Sequence, residues 1–197
     1  MHSITKSDVK GPVFGLFLMT IFTLIWGLIA EISLHNLDHR ILGAIYLLVT
    51  LSFLANYIRA VRFMSKLPEQ TSVEIDPQVA KRKKQFLIIT TLEGVGIGAS
   101  NILLSTFHLE GYIIPCLALI IGLHFFPLSK IFGSKLHLYI GCYTTSIALT
   151  GVVLTYFETM PVTYISTFVC ICCSFSTIIF AISFINFINN KRRLAEA

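Results

Sequence analysis

Six stretches of about twenty apolar residues, joined by short polar connections, restrict this chain more than any other feature. Twenty helical residues at about 1.5 Å each match the ~30 Å hydrocarbon core of a bilayer. A continuous helix also satisfies its own backbone N–H and C=O groups where no water can. Composition agrees: 55% of residues are hydrophobic and 13% charged, whereas a soluble domain carries about 25% charged residues. The predicted fold is an all-α, polytopic membrane bundle of six transmembrane helices, over about 13–32, 41–62, 85–107, 111–132, 136–157 and 162–188. All 197 residues are expected to form one transmembrane domain.

Residues 1–12 are a short polar lead closed by Gly11-Pro12. Pro12 is expected to open the first helix, because proline is tolerated in a first helical turn. A basic lead before an apolar run has the outline of a signal peptide. Here the run is too long, no small-x-small site follows, and a second span comes soon after, so a transmembrane helix is expected. Residues 64–84 read as the one substantial polar loop, with Pro68, Asp76-Pro77 and the basic run Lys81-Arg82-Lys83-Lys84.

Six spans put both termini on one side. That side holds Lys6, Lys10, Arg59, Arg62, Lys66, Lys81–Lys84, Lys130, Lys135 and Lys191–Arg193, or 14 of the 15 basic residues, and only Arg40 is opposite. Loops rich in Lys and Arg stay in the cytoplasm, so both termini and the 64–84 loop are expected there, in a multi-pass protein of the cell membrane. The same asymmetry accounts for the net charge of +5 without a nucleic-acid partner. Five cysteines, Cys116, Cys142, Cys170, Cys172 and Cys173, fall inside apolar spans, which argues for free thiols over a secreted disulfide framework.

The chemistry concentrates in residues 85–132, an expected antiparallel pair of helices turning at about His108–Glu110. One arm carries Glu93 and the other His124, 16 residues before and 15 after Leu109. Equal rise on both arms places them at nearly the same depth. Ionisable groups inside apolar spans are costly and mark functional candidates. Glu93, Gly96, Ser100 and Asn101 share a helix face, with Gly94-x-x-x-Gly98 as an adjacent smooth strip. Two readings stand: polar groups that glue helices together, or a site that handles a proton or contacts a substrate. An unperturbed histidine pKa of about 6.5 suits the second. Pro127, three residues after His124, removes a backbone donor from the carbonyl of Leu123. It is expected either to kink the helix beside His124 or to mark its frayed end.

Helix five presents Gly141, Thr144, Thr145, Ala148 and Gly151, expected as a close-packing face on which Thr144 and Thr145 could line a cavity. The thiols of Cys170, Cys172 and Cys173 do not converge at helical spacing, so core packing is expected there. On the opposite side Glu31, His35 and His39 stand at i, i+4, i+8 with Asp38 among them, a pattern open to a divalent cation or to an ordinary polar rim. No ligand signature accompanies it, so neither a metal nor another cofactor is assigned. GIGASN (96–101) has the glycine–serine character of rhomboid proteases, but helix six offers no histidine as base, and nucleophilic catalysis needs one. An enzyme is therefore not the favoured reading. LIWGL (24–28) and LIIGL (119–123), 95 positions apart, hint at an internal repeat; with three spans per repeat it would be inverted, as in many transporters.

The segment GLHFFPL (122–128), with the six-span layout, resembles a stretch of uncharacterised small bacterial six-helix integral membrane proteins grouped as a domain of unknown function. That resemblance implies an inner-membrane bundle and brings no activity with it. The expected function is a small permease or channel-like protein for a small solute or ion. It would be proton-linked through Glu93 and His124, with Ser100, Asn101, Thr144 or Thr145 along the path. The alternative is a non-catalytic interaction, accessory or immunity-like protein that docks a partner through residues 64–84.

Overall fold

Each apolar run forms one continuous helix. The structure, a computed structural model, describes residues 4–34, 40–69 and 77–196. The helices are α1 (Lys6–Leu34), α2 (Ile41–Lys66), α3 (Pro77–Thr106), α4 (Ile113–Phe132), α5 (Lys135–Tyr156) and α6 (Val162–Glu196), with a 3-10 turn at Glu110–Tyr112 before α4. No strand occurs among the described residues. All six helices are long and apolar enough to cross a membrane, which makes this an integral, multi-pass membrane protein.

Several helices run beyond their apolar spans, and local chemistry explains how. α1 begins at Lys6, so Pro12 lies inside the helix and does not open it. The Thr5 backbone N–H donates to Asp8 Oδ2 at 2.9 Å, and the Thr5 hydroxyl lies 3.0 Å from the same oxygen. This is half of a capping box three residues apart, and it holds the first turn together. A tertiary clamp reinforces it: the Lys6 N–H donates to the Pro68 carbonyl at 3.1 Å, and Lys6 Nζ meets Glu69 Oε1 at 3.0 Å. At α3, Pro77 occupies the first helical position, where its missing N–H costs nothing. Good helix formers from Gln78 to Lys84 then carry the helix into its apolar run. The segment 64–84, expected as a loop, is therefore helical at both ends; residues 70–76 lie outside the described residues. α6 likewise continues through Lys191-Arg192-Arg193 to Glu196.

The helices fall into two compact units, neither of them one continuous stretch of chain. The first holds α1, α2 and α6 from Thr177 onward. Its core is Val13, Leu16, Phe53, Ala60, Ala181 and Ile188. Between helices that are equally at home in lipid, association rests on close van der Waals packing and hydrogen bonds. Both are present. A side chain at Gly27 would run into the Tyr46 ring, and the buried hydroxyls of Thr23 and Thr177 lie 2.8 Å apart. At the start of α2 the Arg40 side chain makes no cap hydrogen bond. Glu31 of α1 supplies one instead, its Oε2 accepting from the Gly43 N–H at 2.8 Å.

The second unit holds α3, α4, α5 and α6 up to Ser176. α4 and α5 meet along a seam of small residues. Gly141 approaches the Gly122 carbonyl, Gly122 lies against the Thr145 backbone, and Gly151 lies against Pro115 and Val169. Thr144 and Ser176 pair their buried hydroxyls at 2.9 Å. α3 is the least buried helix of this unit, and none of its residues from Gln78 to Thr106 is fully buried.

Several buried positions of α1 and α2 recur 95 positions later in α4 and α5, whereas the buried Val13, Leu16, Trp26 and Thr50 have no buried counterpart at that shift. In α1 and α4 the matched buried pairs are Thr20 and Pro115, Thr23 and Ala118, Gly27 and Gly122, Ala30 and Phe125. In α2 and α5 they are Tyr46 and Gly141, Phe53 and Ala148, Ala60 and Thr155. One helix alone can match by its 3.6-residue period, but two helices matching at one shift also fixes the connection between them. The close approaches coincide as well: Gly27 with Tyr46 in one hairpin, Gly122 with Gly141 in the other.

Candidate functional site

Glu93 and His124 meet in the second unit. The α3–α4 turn places them there. The Leu109 N–H donates to the Leu104 carbonyl at 2.8 Å, and His108 takes the left-handed φ of 55° that reverses the chain. From this turn the two arms run back alongside each other, and Glu93 Oε1 comes to 3.3 Å from His124 Nδ1. Their side chains are only 15% and 14% exposed. His124 Nδ1 is buried and not aligned for a hydrogen bond, so this is a close ionisable contact without hydrogen-bond geometry. Carboxyl and imidazole groups act as general acids and bases.

A chain of ring contacts leads away from His124. The His124 ring lies 4.2 Å from that of Phe125. Phe132 at the end of α4 packs edge-on to Phe86 of α3 at 6.1 Å and stacks with His137 of α5 at 5.5 Å. Phe125 lies between the two histidines, 6.2 Å from the His137 ring. His137 was not among the residues that sequence reasoning selected. Its position two residues after Lys135 reads as an ordinary helix start, and the signal that could have raised it is the cluster of Phe125, Phe126 and Phe132 on the preceding helix.

No hydrogen bond among the described residues joins the other expected residues to the pair. Ser100 Oγ and Asn101 Nδ2 both donate to the Ile97 carbonyl of their own helix, at 3.0 and 3.1 Å. Thr144 bonds Ser176 of α6. Thr145 Oγ1 is buried against Gly122 with no hydrogen-bond partner among the described residues. Among the described residues nothing lies within 4 Å of a Cβ placed at Gly94 or Gly98. Pro127 lies inside α4, which continues to Phe132 and ends at Gly133 in the left-handed conformation, so Pro127 is not a frayed end. Its missing N–H leaves the Leu123 carbonyl, next to His124, without its helical donor.

Glu31 serves as the cap of α2, while His35, Asp38 and His39 lie outside the described residues. Among the described residues no three His, Cys, Asp or Glu side chains converge as metal ligands. All five cysteines are free, with Cys170 and Cys173 buried. No family model, curated protein or solved structure matches the chain.

Proposed function

We propose that this protein is a small permease or channel-like protein of the cell membrane, with both termini cytoplasmic, that moves a small solute or ion with protons handled at Glu93 and His124. One observation carries this reading: a carboxyl and an imidazole at 3.3 Å, both largely buried, on two helices of membrane-spanning length. Such groups are expensive in hydrocarbon and are retained where they perform a task. The clustering of Lys and Arg supports the orientation. Ser100 and Asn101 bond a carbonyl of their own helix and Thr144 bonds Ser176, so the proposal rests on the pair itself.

The test is proton flux into liposomes holding the purified protein, wild type beside Glu93→Gln, with helical circular dichroism as the folding control. Flux that falls at least tenfold in a folded Glu93→Gln variant supports proton handling. Equal flux in the two proteins overturns it.

A second reading, a membrane interaction or accessory protein, draws on the outward face of α3. Gly94 and Gly98 open onto free space there, flanked by the exposed Leu87, Leu92 and Val95. Small residues in such a strip let another transmembrane helix approach closely, and residues 64–84 would add a polar docking segment. Co-purification of a partner that is lost on Gly94→Leu, with proton flux absent from the wild type, would favour this reading.

A further inference from the structure

We propose that a pocket in the first unit, between the C-terminal halves of α2 and α6, binds the phosphate of an anionic phospholipid headgroup. The pocket is separate from the Glu93–His124 pair and does not depend on its role. It is lined by Asn56 and Arg59 of α2 and by Asn189 and Arg192 of α6, and the Asn56 amide donates to the Ser52 carbonyl at 2.9 Å. Its floor is apolar and includes the buried Leu16, Ala60 and Ile188. Arg192 Nε is held at 2.8 Å by Glu196 one helical turn away, which orients its guanidinium and leaves its terminal amino groups as further donors. Arg59 has no ion pair or hydrogen bond among the described residues. Glu196 pairs with Arg192 alone, so Arg59 brings to the pocket a positive charge with no partner among the described residues.

The ligand class follows from this mixture. Arg forks bind phosphate oxygens in pairs, more specifically than an ammonium does. Amide groups beside them add neutral donors, and an apolar floor suits acyl chains better than bulk water. Basic pockets between helix ends on the Lys- and Arg-rich side of a membrane protein are where anionic headgroups are attracted, each nearby cation adding to the pull. Arg62, Lys191 and Arg193 adjoin the pocket in sequence and increase the local positive field.

The experiment uses the full chain, delipidated in a neutral detergent, and follows the thermal unfolding midpoint. Short-chain phosphatidylglycerol, short-chain phosphatidylcholine and inorganic phosphate are titrated separately. Phosphatidylglycerol is expected to raise the midpoint saturably, with phosphatidylcholine and phosphate giving at most a minor shift. In Arg59→Gln the half-saturating concentration should rise about tenfold or more, the loss expected for a hydrogen bond to a charged group. Arg59→Lys, which keeps the charge and loses the fork, should fall between. Arg40→Gln, outside the pocket, should titrate like the wild type. Equal shifts from the two lipids, or an unchanged titration in a folded Arg59→Gln variant, overturn the proposal. An equal shift from inorganic phosphate overturns the lipid as the source.

Discussion

Replacing Gly122 by alanine adds one methyl group where α4 and α5 come closest. A Cβ there would lie 2.6 Å from Thr145 Oγ1 and 2.7 Å from the Thr145 backbone nitrogen. The hydroxyl can rotate away; the backbone cannot. Ordinary contact begins near 3.4 Å, so the two helices must part by about 0.7 Å at this point. A gap of that size forfeits roughly a quarter to a half of each dispersion contact across it. The contacts of Gly141 with the Gly122 carbonyl and of Gly151 with Pro115 lie on the same seam and share the loss. We expect Gly122→Ala to destabilise the second unit by about 1–3 kcal/mol, the range for overpacking a close-packed site. Gly94→Ala is the control. Nothing lies within 4 Å of its Cβ position, and alanine improves helix propensity by roughly 0.5–1 kcal/mol. Unfolding in a denaturing detergent series, read by labelling of the buried Cys170 and Cys173 thiols, measures both variants in the unit concerned. The reasoning is refuted if Gly122→Ala stays within about 0.5 kcal/mol of wild type, or if Gly94→Ala loses as much.

Glu31→Ala should cost about 0.5–2 kcal/mol by removing the cap of α2, with faster amide exchange at Gly43. Glu31→Gln keeps an acceptor and should retain most of that stability. A double-mutant cycle on Thr144→Val and Ser176→Ala should give a coupling of about 0.6 kcal/mol and no more than ~1.7; zero coupling would show that the paired hydroxyls contribute nothing. The hydrogen-bonded Lys6 ammonium beside Glu69 holds its carboxyl below the ordinary value of 4.5. A depressed carboxyl contributes stability that is present above the ordinary value and lost as pH falls through the folded one. Amide protection of Lys6, whose N–H is bonded to Pro68, should be steady at neutral pH and fall below about pH 4.5. Glu69→Gln should remove that pH dependence.

The apolar runs made six helices legible because hydrocarbon leaves the backbone little choice. The equal depth of Glu93 and His124 was legible for a simpler reason: two arms of equal length about His108–Glu110. That the two side chains face each other was not legible, because depth does not fix the rotation of either helix. Helix ends were not legible either. Beyond the hydrocarbon a hydropathy signal vanishes, and Lys6, Pro77 and Glu196 mark ends set by a capping carboxylate, a proline at a first turn and plain helix propensity. The hydroxyl and amide partners were also hidden. Ser100 and Asn101 share a face with Glu93, yet each can bond the carbonyl one turn back, and a sequence does not reveal that competition. Beyond LIWGL and LIIGL, the 95-residue correspondence between α1–α2 and α4–α5 is one of some buried positions and not of identities. Tyr46 and Gly141 occupy one register with an aromatic ring in one hairpin and bare backbone in the other, while His124 corresponds to Ile29.

The helices differ in length in a way that makes bilayer thickness a variable for this protein. α6, with 35 residues, is on the order of 50 Å long, whereas α4, with 20, is on the order of 30 Å. The long helix can meet a thicker membrane by tilting or by drawing its polar turns closer. α4 has no spare length, so hydrophobic mismatch falls on it first, as local thinning of the lipid or a change of tilt against its neighbours. Because α4 carries His124, a thicker or thinner membrane would act directly on the distance from that imidazole to the carboxyl of α3.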